Sequence, residues 1–278
     1  MNAQSIKRQL LLIVLLSGIF SMTIHGNSYS ADLTVFRLKP AKETVLLISG
    51  VSTQQVGDYY FSKLSGRDPN TLNKNGIPAF ERFACEYYSK KLSNISDYTK
   101  DATSGLMLLT ALSLLKNSRK ENINAFLTDI VMFVESETAI IGLTKCAKSL
   151  SKRPRPYAYN TDLSYERRGS RNASLSFWSG HASLAFTTVV FTGYVFQNRH
   201  PGSPLTTPVW IIGICSATAT SVLRVRSGNH FPSDVVVGAA VGSFIGWVIP
   251  RLHKEKSNSM SLTTNVAGTT GLGMLYLF

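Results

Sequence analysis

Apolar stretches too long for strands set the fold of this sequence. They run over 105–115, 126–147, 181–196, 208–223 and 235–250. Their length selects helix, because strands seldom exceed about eight residues. Three of them hold about 16 residues, just under the roughly 17–25 that span a bilayer core. The expected fold is all-α: a helical bundle, with several helices membrane-spanning. The stretch over 126–147 carries Asp129, Glu135 and Glu137. Lipid does not welcome such groups, so buried core helices and spanning helices both stay open for these runs. Glu135 and Glu137 are read as the polar face of their helix.

Charged residues make up only 16% of the chain, against a usual share of roughly 25%. That deficit leans toward the membrane. The net charge is +13, which suits an anionic surface or an anionic substrate. Basic residues are not interleaved with aromatics on a polar helix, and no nucleic-acid-binding motif is present, so nucleic acid is not an expected partner. Cys85, Cys146 and Cys215 have no paired spacing, which excludes a disulfide framework or a cysteine zinc site. Cys146 and Cys215 are read as small core residues.

Lys7 and Arg8 precede an apolar run over 10–20, followed by Ser28 and Ser30. This is the layout of a signal peptide over 1–30, with an uncleaved anchor as the alternative. Either way, Ala31 onward is expected to be exported. An N-terminal extension follows over 31–76, turn-rich from Gly66 to Pro78. The main domain is placed over 77–252, its first helix opening near Ile77. A Ser/Thr/Gly-rich tail over 253–278 is expected to be short, irregular or β-like. Counting crossings from an exported Ala31 puts Lys148–Pro156, Ser179–His181 and Arg224–Asp234 on one side. A soluble helical bundle with short connections would also bring alternate helix ends together.

Those three islands carry the chemistry. The first is Lys148 with Arg155-Pro156, although Arg153-Pro154 offers a second register. The next is Ser179-Gly180-His181. The last is Arg224, five residues, His230, three residues, Asp234. They resemble the three signature motifs of the type 2 phosphatidic acid phosphatase superfamily: Lys-x6-Arg-Pro, Pro-Ser-Gly-His and Ser-Arg-x5-His-x3-Asp. That superfamily also holds class A acid phosphatases, glucose-6-phosphatase and vanadium haloperoxidases. Two positions depart from the pattern: Trp178 stands for the proline, and Leu223 for the serine before Arg224.

Residue types argue the same chemistry. Phosphoryl transfer spreads negative charge over three equatorial oxygens. Arginine forks bind such oxygens bidentately and lysine adds a compact charge. Lys148, Arg155 and Arg224 are therefore expected to grip phosphate without a metal, and no other cofactor is expected. Gly180 permits close backbone approach, so amides near Ser179 and Gly180 can donate to a phosphoryl oxygen. Asp234 lies one helical turn beyond His230 and is expected to hold its second ring nitrogen. The resemblance implies that His230 is the nucleophile and His181 the general acid, with His181 then acting as base for water.

The leading expectation is an exported, metal-independent phosphatase acting on a lipid phosphate through a phosphohistidine. Phosphatidate, phosphatidylglycerol phosphate, isoprenyl pyrophosphate and lipid A are the candidate substrates. Its expected place is the inner membrane with the site facing the periplasm. The alternatives are a soluble periplasmic acid phosphatase of broad range, a haloperoxidase, and a non-catalytic membrane protein that binds phosphate headgroups.

Overall fold

Residues 31–117 and 119–255 are described in the computed structural model, and they form seven α-helices. These are α1 Pro40–Ser62, α2 Lys90–Leu112, α3 Lys120–Ser151, α4 Tyr165–Gly169, α5 Gly180–Arg199, α6 Thr206–Arg226 and α7 Pro232–His253. All but α4 are 20 residues or longer. Among the described residues there is no β-strand, only an isolated bridge between Phe36 and Lys254. The leader or anchor expected over 1–30 and most of the tail over 253–278 lie outside the described residues.

Local chemistry sets the helix ends. Proline opens α1 and α7, where its missing N–H costs nothing and its φ is already helical. Ser89 and Ser179 cap α2 and α5 by accepting from the amides of Leu92 and Ala182. Lys152 ends α3 in the left-handed region, at φ 47°, and Pro154 follows it. The 66–78 stretch contains two short 3₁₀ turns, Pro69–Thr71 and Lys74–Gly76. The helix expected to open near Ile77 is instead a 3₁₀ segment, Ala79–Glu86. Its Glu81 is drawn inward to ion-pair with Arg153.

α5 lies at the centre, against α2, α3, α6 and α7, while α1 lies along α3. The α5–α7 contact rests on a stripe of glycines. A Cβ on Gly238, Gly242 or Gly246 would stand 2.7, 2.2 or 2.3 Å from the carbonyl oxygens of Ser179, Ser183 and Thr187. Small residues four apart let two helix backbones approach this closely.

α2, α5 and α7 start at the end where α1, α3 and α6 finish. The Ser179 amide donates to Asp234 O at 2.9 Å, Arg224 Nη1 to Ser93 Oγ at 3.1 Å, and Ser149 Oγ to Gly57 O at 3.2 Å. All three islands therefore share one end, as crossing parity required. Ala31 does not join them. The Asp32 amide donates to Arg199 O at 2.6 Å, and the Arg37 amide to His253 O at 2.9 Å, both at the opposite end. The difference is α1, a helix inside the stretch read as an N-terminal extension. It adds one pass and reverses the parity of everything before it.

Among the described residues two helices, α6 and α7, are long and apolar enough to cross a membrane. Large apolar side chains lie open on their outer faces: Ile211, Ile212, Ile214 and Val222 on α6, and Val236, Phe244 and Trp247 on α7. Cys85 is buried, but Cys215 is exposed on α6, correcting its reading as a core residue. Glu135 also departs from expectation, because it points into the bundle and is only 2% exposed. Glu137 accepts from Thr188 Oγ1 on α5.

Candidate active site

His230 sits in the short turn between α6 and α7. That turn closes because the amides of Asn229 and His230 both donate to Arg224 O, at 3.1 and 3.3 Å. Gly228 makes the turn possible. Its φ is +73°, and a Cβ there would lie 2.0 Å from Tyr87 O, so only glycine fits. The His230 ring is 1% exposed. Its Nδ1 lies 2.8 Å from Ser176 O. A carbonyl can only accept, so Nδ1 carries the proton. Nε2 then presents a lone pair, and it is buried without a hydrogen-bond partner. Burial, then the charges of Lys148, Arg155 and Arg224, hold this imidazole well below its ordinary pKa. The ring is neutral at pH 7.

The sequence pattern expects Asp234 on the second ring nitrogen. Ser176 O occupies that position, and Asp234 Oδ2 stands 3.8 Å from Nδ1. Asp234 is held elsewhere because it sits at the third position of α7, where its carboxylate caps the helix by accepting from the Phe231 amide at 2.8 Å. It also accepts from Ser176 Oγ and from Arg153 Nη1. Through Ser176 it therefore fixes the residue whose carbonyl fixes the ring.

Arg153, the second register of the first island, is committed to two carboxylates. Its guanidinium bridges Asp234 and Glu81, each at 2.6 Å, and lies 4.3 Å from the centre of the Phe231 ring. Glu81 also accepts from the Ser233 amide at 2.9 Å. Glu81 lies far from every motif in sequence, so no spacing points to it.

Three cations converge on the His230 side of the site. Lys148 is in the last turn of α3, and its Nζ lies 3.9 Å from where a Cβ on Gly180 would stand. Burial pushes its pKa down to about 7, with repulsion from Arg155 and Arg224 adding to the shift. Arg155 is steered by Asn172 and Asn229: Nε donates to Asn172 O at 3.0 Å, and Nη1 to Asn229 Oδ1 at 2.9 Å. Arg224 Nη1 donates to Ser93 and Ser96 on α2, both at 3.1 Å, and its Nε is buried without a partner. Unpartnered donors of this kind favour a bound anion.

Ser179 is fully buried, and its oxygen is engaged as the α5 cap. The opening turn of α5, at Gly180 and His181, adds free amides and the positive end of a 20-residue helix. Trp178, in place of the motif proline, ties this loop to α3 by donating to Thr144 Oγ1 at 2.8 Å. Leu223 is half-buried in α6.

His181 Nε2 lies 2.6 Å from Asp97 Oδ1 on α2. Burial pushes its pKa down to about 4, against the opposing pull of the Asp97 carboxylate. Asp97 is itself held low by that hydrogen bond, and it lies 3.9 Å from Arg224 Nη1. Sequence reasoning missed Asp97, Ser176, Asn172 and Asn229. None has a motif of its own, and each is recognised only by the side chain it steers.

The PAP2 superfamily profile matches residues 129–258, a span that takes in all three islands. This segment, somewhat less than half of the chain, is similar to the PAP2 superfamily. The chain is 30% identical over 115 residues to a lipid A 4'-phosphatase of Bacteroides thetaiotaomicron, covering 41% of this chain and 46% of that protein. The match therefore spans less than half of the relative's length. Two solved structures resemble the fold. A transmembrane PAP2 type phosphatidylglycerolphosphate phosphatase from Bacillus subtilis has TM-score 0.45 and 17% identity, over 73% of this chain and 94% of that one. Aquifex aeolicus LpxE has TM-score 0.42 and 23% identity, over 63% and 97%. Within the family pattern, the Trp178 and Leu223 departures leave every charged motif residue in place.

Sequence spacing offers no metal-ligand set, yet the fold gathers one. Glu43, Glu135 and His253 meet at the far end of the bundle, away from these islands.

Proposed function

We propose that this protein is a lipid phosphate phosphatase of the PAP2 superfamily that works through a phosphohistidine on His230. One observation carries the reading. The His230 Nε2 lone pair is bare and buried, its tautomer is fixed by Ser176 O, and three cations converge beside it. A neutral, oriented imidazole among fixed cations suits in-line attack on a phosphate ester.

In the first step Nε2 bonds to phosphorus as the ester P–O bond breaks. Lys148, Arg155 and Arg224 take the charge spreading over the equatorial oxygens. His181 gives a proton to the leaving oxygen. In the second step water attacks the phosphohistidine, His181 takes the water's proton, and Nε2 leaves with its lone pair restored. Asp97 is a positioning residue for His181, and Asp234 for His230 through Ser176.

A lipid substrate is favoured by the open apolar faces of α6 and α7 and by the named activity of the Bacteroides relative. The site then lies at helix ends beside the bilayer surface, at the end of the bundle opposite residues 31–39. In a chain that crosses with each long helix, residues 31–39 face the opposite side.

His230→Ala is expected to lower phosphate release by about 10⁴-fold or more, as loss of a nucleophile does. The assay uses lipid A, phosphatidate, phosphatidylglycerol phosphate and isoprenyl pyrophosphate, with a soluble phosphate ester as control. Full release by the variant from every substrate would end the proposed mechanism. A soluble ester hydrolysed as well as every lipid would replace the lipid reading with that of a broad acid phosphatase.

A further inference from the structure

Three side chains from three helices meet at the end of the bundle away from the phosphate site. Glu43 comes from the first turn of α1, Glu135 from the middle of α3 and His253 from the last residue of α7. Glu43 Oε2 lies 2.7 Å and Glu135 Oε2 3.2 Å from His253 Nε2. The side chains of Glu135 and His253 are fully buried, and that of Glu43 is 11% exposed.

The His253 tautomer is fixed. Nδ1 lies 2.8 Å from Ile249 O, so that nitrogen carries the proton. In the neutral ring Nε2 is a lone pair, and it faces two carboxylate oxygens. Three electron-rich atoms converging in a buried space need a cation between them. No neighbouring ammonium supplies it. Lys42 Nζ donates to Leu252 O at 2.7 Å, and Lys39 Nζ pairs with Glu255 at 3.9 Å. A proton on Nε2 would serve Glu43 alone. Glu135 has only the neighbouring Glu43 carboxylate to share a proton with, and neither of its buried oxygens has a partner in good hydrogen-bond geometry.

We propose that Glu43, Glu135 and His253 bind one divalent transition-series cation of the zinc class, which ties α1, α3 and α7 together. Two carboxylates and a neutral imidazole balance a divalent charge. The imidazole favours zinc-like ions over magnesium or calcium. Three protein ligands and one open position make a common zinc set. The outer contacts also fit: a metal-bound histidine usually donates its other N–H to a carbonyl, as His253 does to Ile249, and the Lys39 amide donates to Glu43 Oε1 at 2.5 Å. His253 lies 19 residues beyond Asp234 on the same helix, roughly 28 Å at the helical rise. The ion therefore lies too far from His230 to take part in the phosphate chemistry.

The test uses untagged full-length protein, stripped with EDTA and dialysed against zinc sulfate. Bound metal is counted by mass spectrometry. One zinc per chain is expected in the wild type and in His230→Ala, and none in Glu135→Gln or His253→Gln. Zinc should raise the melting temperature of the wild type but not of Glu135→Gln. If neither far-end variant folds, zinc K-edge absorption on the wild type decides: one imidazole with carboxylate oxygens supports the site, and two imidazoles overturn it. A wild type that takes up no zinc, or a folded Glu135→Gln that keeps it, also overturns the proposal and leaves a shared proton as the cation.

Discussion

At one end of the bundle Lys148, Arg155 and Arg224 converge near a bare imidazole nitrogen. At the other, Arg199 and Asp129 are buried together and closed. Arg199 gives Asp129 three hydrogen bonds of 2.6–3.2 Å, and its remaining N–H groups reach the carbonyls of Asp32, Leu33 and Ala125. Both ends hold charge out of water. A buried charge whose every donor is used is architecture. A buried set with excess cation, an unpartnered Arg224 Nε and an unpartnered His230 Nε2 is prepared for an anion that comes and goes.

The contrast can be broken in order of expected effect. Arg155→Met removes a cation that has no acidic partner of its own. Phosphate release should fall about 10²–10³-fold, the usual loss for a missing transition-state donor, while the melting temperature changes little. Asp129→Ala does the reverse. It strands Arg199 in the core and should cost about 3–5 kcal/mol of stability. Denaturant titration should show that loss, with turnover of the folded protein unchanged. An Arg155→Met protein whose melting temperature falls sharply while the folded protein turns over normally would erase the distinction.

The pH profile sharpens it. Lys148 is pushed down to about 7 in the free enzyme, so it is charged below that pH and loses its charge above it. The Lys148 contribution to kcat/KM should therefore fade as pH rises through about 7, above the earlier loss of the His181 proton near 4, and Lys148→Arg should flatten that upper limb. The acid limb belongs to His230, which protonates only well below 6.5. The smallest change is expected from Asp97→Asn. The carboxylate favours the charged form of His181, so its loss should move the alkaline limit of kcat to lower pH and lower kcat modestly. A merely structural Asp97 would leave that limit where it was.

The helices and the charged islands were legible because each has a local cause. Apolar length gives the helix, and Lys148, Arg155, His181, Arg224 and His230 stand at fixed spacings beside helix ends. What was not legible depends on contacts across the chain. The Asp97–His181 pair joins α2 to α5, and Ser176 meets His230 through a backbone carbonyl that has no residue signature. Asp234 illustrates the limit best. Its spacing from His230 suggested a direct contact, but its place at the third position of α7 commits it to the helix cap. α1 was hidden because Lys42, Glu43 and two glutamines dilute its apolar character.

The central claim is a covalent bond between phosphorus and His230 Nε2. The direct measurement is rapid acid-free quenching of enzyme turning over a ³²P-labelled lipid phosphate, followed by peptide mapping. The account predicts an acid-labile, alkali-stable label on the peptide carrying His230, absent in His230→Ala. Rapid turnover with no labelled peptide, or label that remains in His230→Ala, would contradict it.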